Sequence, residues 1–147
     1  MSGLLAAFVI VMGAGLSLQP LLNARIAGLA GNPLYGAALS VTVSTITLTF
    51  IILAARLPWP NIRALATAPW WMWAGGVIGA FVVLSALMAT PRLGAATTVA
   101  LFIAGQLAAS LLIDRLGILG VPVRELSALR VLGVGCLFAG VMLIRWG

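Results

Sequence analysis

Apolar residues run through this chain in long unbroken stretches, separated by short clusters of Pro, Gly, Asn and Arg. Five stretches reach the ~20 residues that an α-helix needs to cross a bilayer: Gly3 to Leu22, Pro33 to Ala55, Pro69 to Ala89, Leu93 to Ile113 and Ser127 to Trp146. None alternates apolar with polar residues, and each is about twice the ~10 residues of a barrel strand. None offers the polar face of a soluble bundle helix. The pattern predicts an all-α polytopic membrane protein with five transmembrane helices, forming a single transmembrane domain over residues 1–147.

The punctuation fits short surface connections. Arg25 to Asn32 reads as a turn with Gly28 and Gly31, and Arg56 to Ala68 as a loop with Pro58, Pro60 and Asn61. Thr90-Pro91-Arg92 is short enough to make a tight hairpin of the third and fourth helices. Asp114 to Leu126 holds Gly117, Gly120 and Pro122. The first apolar run has no charged leader and no convincing cleavage site, so it is expected to remain as a helix.

Composition strengthens the membrane reading. Hydrophobic residues make up 63% and charged residues 7% of the 147. A soluble domain carries roughly 25% charge, so lipid must be the surrounding medium. Trp59, Trp70, Trp71, Trp73 and Trp146 fall near predicted helix ends, where indoles favour the headgroup level. Eight arginines oppose only Asp114 and Glu125, giving a net charge of +6. The arginines are scattered rather than clustered, so no nucleic-acid partner is expected.

Five spans put the termini on opposite sides. The N-terminal side collects Arg56, Arg63, Arg115, Arg124 and Arg130, and the other side Arg25, Arg92 and Arg145. That bias is weak under the positive-inside rule and permits insertion both ways. Two oppositely inserted copies would have the geometry of an inverted-repeat transporter, so an antiparallel, dual-topology homodimer of ten helices is expected. A monomer or parallel oligomer is the competing arrangement.

Polar groups inside lipid are costly unless they face protein or water, which makes their positions informative. Gln19 and Asn23 lie four apart on one face of the first helix, with Gly15 extending the stripe. Pro20 cannot donate to the carbonyl of Leu16, so a kink or local unwinding is expected there. This stripe either binds a ligand or ties helices together. Gln106 and Ser110 repeat the spacing on the fourth helix, with Phe102 one turn before and Asp114 one turn after. Gln106 is the most central amide, a candidate for lining a cavity. Asp114 fits a helix end or a local ion pair beside Arg115.

Ser40, Ser44 and Thr47 form one stripe in a hydroxyl-rich second helix, suited to backbone bonding and close packing. Trp71, Gly75, Ile78 and Ser85 share a face of the third helix. Gly75 and Gly79 have the spacing of a packing motif, and Gly133, Gly135 and Gly140 offer another surface. Cys136, the one cysteine, reads as a small buried residue. There is no histidine, cysteine cluster, paired carboxylate or phosphate-binding loop, so no enzyme, catalytic residue, metal or cofactor is expected.

Several segments together carry a family likeness. They are Gln19-Pro20-Leu21-Leu22-Asn23-Ala24-Arg25; Pro69-Trp70-Trp71 before Gly75, Gly76 and Gly79; Pro91-Arg92-Leu93-Gly94; and Gly105-Gln106-Leu107 leading to Ser110 and Asp114-Arg115-Leu116-Gly117. Over nearly its whole length the chain resembles the YdcZ-like family of the drug/metabolite transporter superfamily. The resemblance implies a bacterial inner-membrane protein of five helices, related to half of a ten-helix metabolite transporter. It also implies kinship with small multidrug resistance proteins, which are antiparallel dimers using a glutamate in the first helix for proton exchange. The first helix here has no acid, so that coupling does not carry over.

The expected function is therefore gradient-driven transport of a small metabolite or drug-like molecule by alternating access at a midplane site between inverted subunits. Gln19, Asn23, Gln106, Trp71, Phe102, Ser110, Ser44 and Ser85 are the candidate substrate-binding residues. A small dual-topology ion channel and a non-transporting accessory subunit are the alternatives. The expected partners are a second copy, membrane lipid and the substrate.

Overall fold

The computed structural model describes residues 2–118, 122–125 and 127–146. It is helical throughout its regular parts, with no strand among the described residues. The helices are α1 (Ser2–Ala30), α2 (Pro33–Ala54), a short α3 (Ile62–Ala66), α4 (Ala74–Leu93), α5 (Ala95–Leu116) and α6 (Ala128–Trp146), with a 3₁₀ turn at Trp70–Trp73 leading into α4. Five are long and apolar enough to span a membrane: α1, α2, α4 with its preceding turn, α5 and α6. Gly120 and Leu126, expected in the last loop, lie outside the described residues.

Local chemistry sets the helix ends. Asn32 caps α2, its Oδ1 accepting from the Leu34 N–H at 2.8 Å, and Pro33 follows at the first helical position, where a missing N–H costs nothing. Asn61 caps α3 in the same way, through the Ala64 N–H at 3.2 Å. Gly117 closes α5 in the left-handed conformation (φ 61°), its N–H reaching the Ile113 carbonyl.

Two expected boundaries move. α1 does not stop at Leu22 but continues to Ala30. Ala24, Arg25, Ala27, Leu29 and Ala30 are strong helix formers, and the lone Gly28 does not outweigh them. At 1.5 Å per residue, α1 is about 43 Å long, more than the ~30 Å hydrocarbon core of a bilayer. Pro20 sits within this helix rather than ending it. α4 likewise runs through Thr90-Pro91-Arg92 to Leu93, and the break falls at Gly94, whose φ of 84° suits glycine alone.

Contacts divide the chain into two compact units, Met1–Arg92 and Leu93–Gly147. In the first, α1 packs on α2, and Ala27, Ala37 and Leu87 are buried together with Ala24, Val83 and Leu84 against them. Gly36 is the contact point. A Cβ there would lie 2.6 Å from the Ala27 Cβ, 2.9 Å from its Cα and 3.0 Å from the Asn23 carbonyl oxygen. Small residues let the two backbones approach, as in membrane helices generally. In the second unit α5 packs on α6 around Ala100, Ala104 and Val141.

Within each unit the expected glycine surfaces are open, and the one cysteine is exposed. A Cβ on Gly75 or Gly79 would meet nothing within 4 Å, and the same holds for Gly133, Gly135 and Gly140. Helix-to-helix contact within each unit is made by alanines, Gly36 and a few larger residues such as Leu87 and Val141. Cys136 is exposed, not buried, and lies along a shallow groove with Gly133, Leu137 and Gly140. Trp59, Trp70 and Trp146 are 79–87% exposed, as interfacial anchors should be.

Candidate functional site

The first unit holds Gln19, Asn23, Ser44, Trp71 and Ser85. Gln19 and Asn23 share the α1 face that meets α2, Gln19 half-buried and Asn23 buried, with Pro20 buried between them. One turn on, Ala27 abuts Gly36. The stripe therefore starts as a polar patch and ends as a tight seam. The side-chain hydrogen bonds among the described residues leave the Asn23 carboxamide free, so it does not bond α1 to α2.

The hydroxyls behave differently. Ser44 Oγ donates to the Ser40 carbonyl at 3.0 Å, and Thr42, Thr45, Thr47 and Thr49 each donate to the carbonyl one turn back. Ser85 Oγ donates to Val82 at 2.9 Å. Each proton is thus satisfied within its own helix, and only lone pairs remain for a ligand. Ser44→Ala removes one such acceptor from an exposed face. The purified variant is expected to unfold within ~1 kcal/mol of the parent, because a net hydrogen bond is worth no more than that and this one is already internal. Trp71 stands 44% exposed on the 3₁₀ turn that opens α4.

The second unit holds Phe102, Gln106 and Ser110, aligned along α5. Phe102 is half-buried; Gln106 and Ser110 are exposed. Ser110 Oγ donates to the Gln106 backbone carbonyl at 2.8 Å, leaving the Gln106 side chain unconstrained by it. Asp114, one turn further, pairs with Arg130 of α6 (Nη1 to Oδ2, 3.5 Å) rather than with its neighbour Arg115. Its backbone carbonyl also accepts from the Arg124 N–H at 2.8 Å. The two contacts join the end of α5 to the chain leading into α6 and to α6 itself. A partly exposed pair of this kind contributes about 1 kcal/mol or less.

The structure thus brings Gln19 together with Asn23, and Gln106 with Phe102 and Ser110. It also holds features that sequence reasoning missed. Thr90 is 3% exposed, and its Oγ1 has no partner among the described residues. A cleft of about 360 Å³ opens where the end of α1, the turn into α2 and the end of α4 converge, lined by Ala24, Gly28, Gly31, Asn32, Met88 and Arg92 among others. None of the candidate residues lines it. Arg92 beside three short glycine- and alanine-rich segments was the available signal, but it reads equally as an ordinary turn.

A family model described as "Putative inner membrane exporter, YdcZ" matches residues 4–143. Inner membrane protein YdcZ of Escherichia coli (strain K12) is 30% identical over 120 residues, which covers 82% of this chain and 80% of that protein. No solved structure matches the chain.

Proposed function

Because the chain belongs to the YdcZ family, whose model is described as an inner membrane exporter, and has five helices able to span a membrane, we propose that it is one subunit of a gradient-driven transporter for a small metabolite or drug-like molecule. Two copies inserted in opposite directions form the working unit, and rocking of one against the other alternates access to a midplane site. Gln19, Asn23 and Gln106 supply the polar contacts; Trp71 and Phe102 supply apolar walls. Ser110, Ser44 and Ser85 offer acceptor oxygens.

The observation that carries this reading is Gln106. It lies at the middle of a 22-residue apolar helix, and it is exposed. A carboxamide facing hydrocarbon without a partner costs several kcal/mol, so water or polypeptide from outside its own unit must cover that face.

Reconstitution tests both halves of the proposal. Purified protein in liposomes should drive saturable uptake of at least one metabolite class under an imposed gradient. Single cysteines placed at either end, in a Cys136→Ala background, should each label from both faces of the membrane. Labelling from one face alone would remove the antiparallel arrangement, and the absence of flux for every metabolite class would remove transport.

A further inference from the structure

The cleft at the end of α1 carries an arginine, Arg92, with no carboxylate in its own unit. The first unit contains Arg25, Arg56, Arg63 and Arg92 and not one carboxylate; the chain's two acids, Asp114 and Glu125, both belong to the second unit. Asp114 is already paired with Arg130. Arg92 lines the cleft and makes no ion pair among the described residues. A guanidinium offers five donors in a planar fork that matches a carboxylate or phosphate.

The surrounding walls fit the remainder of such a ligand. Ala24, Ala27, Leu87, Met88 and Pro91 give an apolar lining, and the Asn32 carboxamide adds a second polar group at the rim. The Asn32 Oδ1 is engaged by the Leu34 N–H, which leaves its Nδ2 hydrogens as donors. Gly28 and Gly31 also line the cleft, and a side chain at either would extend into open space, since a Cβ there would meet nothing within 4 Å. The volume of about 360 Å³ lies within the ~300–1,000 Å³ of small-molecule sites.

We infer that this cleft binds an amphipathic organic oxyanion, a phosphate or carboxylate on an apolar body, with Arg92 holding the anionic end. The α2 helix N-terminus is not the anchor, because the Leu34, Tyr35 and Gly36 N–H groups are all spent on Asn32. Charge selection therefore falls to Arg92 and the Asn32 amide. A free organic anion and an anionic lipid headgroup share this chemistry. The inference concerns binding and stands apart from transport.

Titration calorimetry on the purified full chain in a neutral detergent separates the outcomes. Hexyl phosphate should bind saturably at one per subunit, and hexanol should not. Arg92→Gln should weaken binding at least about tenfold, the worth of one charge-assisted contact. Gly28→Leu fills the cleft in a helix that tolerates leucine well and should weaken binding to a similar degree with Arg92 still present. Arg63→Gln, outside the cleft, should bind as the parent does.

Native mass spectrometry with phosphatidylglycerol against phosphatidylcholine supplies the lipid arm. Retention of phosphatidylglycerol that depends on Arg92 and resists hexyl phosphate identifies the lipid as occupant. Displacement by hexyl phosphate identifies a free anion. Binding in both arms that ignores Arg92→Gln and Gly28→Leu overturns the inference. Loss of Arg92-dependent binding with liposome flux intact would discard this site and leave the transport proposal standing, and the converse result would do the reverse.

Discussion

Gly36→Leu is expected to separate α1 from α2 and to remove most of the folded protein. The reason lies in what surrounds the missing side chain. A Cβ at Gly36 would lie 2.6 Å from the Ala27 Cβ, and also 2.9 Å from the Ala27 Cα and 3.0 Å from the Asn23 carbonyl oxygen. The last two are backbone atoms, which cannot swing aside as a side-chain tip can. Even alanine forces the helices apart, at the ~1–3 kcal/mol typical of overpacking, and leucine adds three more carbons to the same seam. No hydrophobic gain offsets this, because lipid already solvates apolar surface as well as protein does.

The expectation has a built-in cross-check. Ala27→Gly removes the shortest contact but not the two to backbone, so it should restore only part of the stability lost in Gly36→Ala. The two changes should show a coupling of roughly 0.5–3 kcal/mol, as residues in direct contact do. Gly13→Leu, on a stretch of α1 where a Cβ meets nothing, supplies the control. Unfolding of the purified variants in detergent, followed by loss of helicity, gives the ranking: Gly13→Leu near the parent, Gly36→Ala below it, Gly36→Leu lowest. If Gly36→Leu unfolded alongside Gly13→Leu, the α1–α2 seam would not be where the subunit is held together.

Gly36 also marks the limit of what the sequence discloses. The five spans were legible because lipid demands long apolar runs, and such runs survive any error at their ends. The Asn32-Pro33 start of α2 was legible because capping is local. Gly36 was not, since one glycine near a helix start has many uses, and what fixed its role was Ala27 on another helix. The glycine pairs that did stand out, Gly75 with Gly79 and those of α6, face open space within the chain. The end of α1 is hidden for a related reason: Arg25 and Gly28 read as a turn, yet the helix runs on through both to Ala30.

The candidate site divides along the same line. Gln19 with Asn23, and Gln106 with Ser110, were readable from a spacing of four. The partner of Asp114 was not, because Arg130 lies sixteen residues away while Arg115 lies next to it. The Arg92 cleft needs three separate segments to converge, and no periodicity within any one of them announces it.

Replacing Gln106 should show the largest functional effect. Gln106→Leu is close in size and removes both the donor and the acceptor of the carboxamide. If the Gln106 face borders a substrate path, the variant should insert, fold and pair as the parent does, with its initial rate of uptake in liposomes lower by at least about tenfold, the cost of leaving a polar ligand group without its partner. Gln106→Asn keeps the chemistry on a shorter arm and should retain part of the rate. Were the amide instead a tie between copies, Gln106→Leu would reduce the cross-linkable dimer in proportion to the rate, because both losses would share one cause. The rate at matched dimer content therefore decides between the two. A Gln106→Leu protein that carries substrate as fast as the parent would mean that the exposed carboxamide serves neither purpose, and the transport path would have to be sought on another face of the helices.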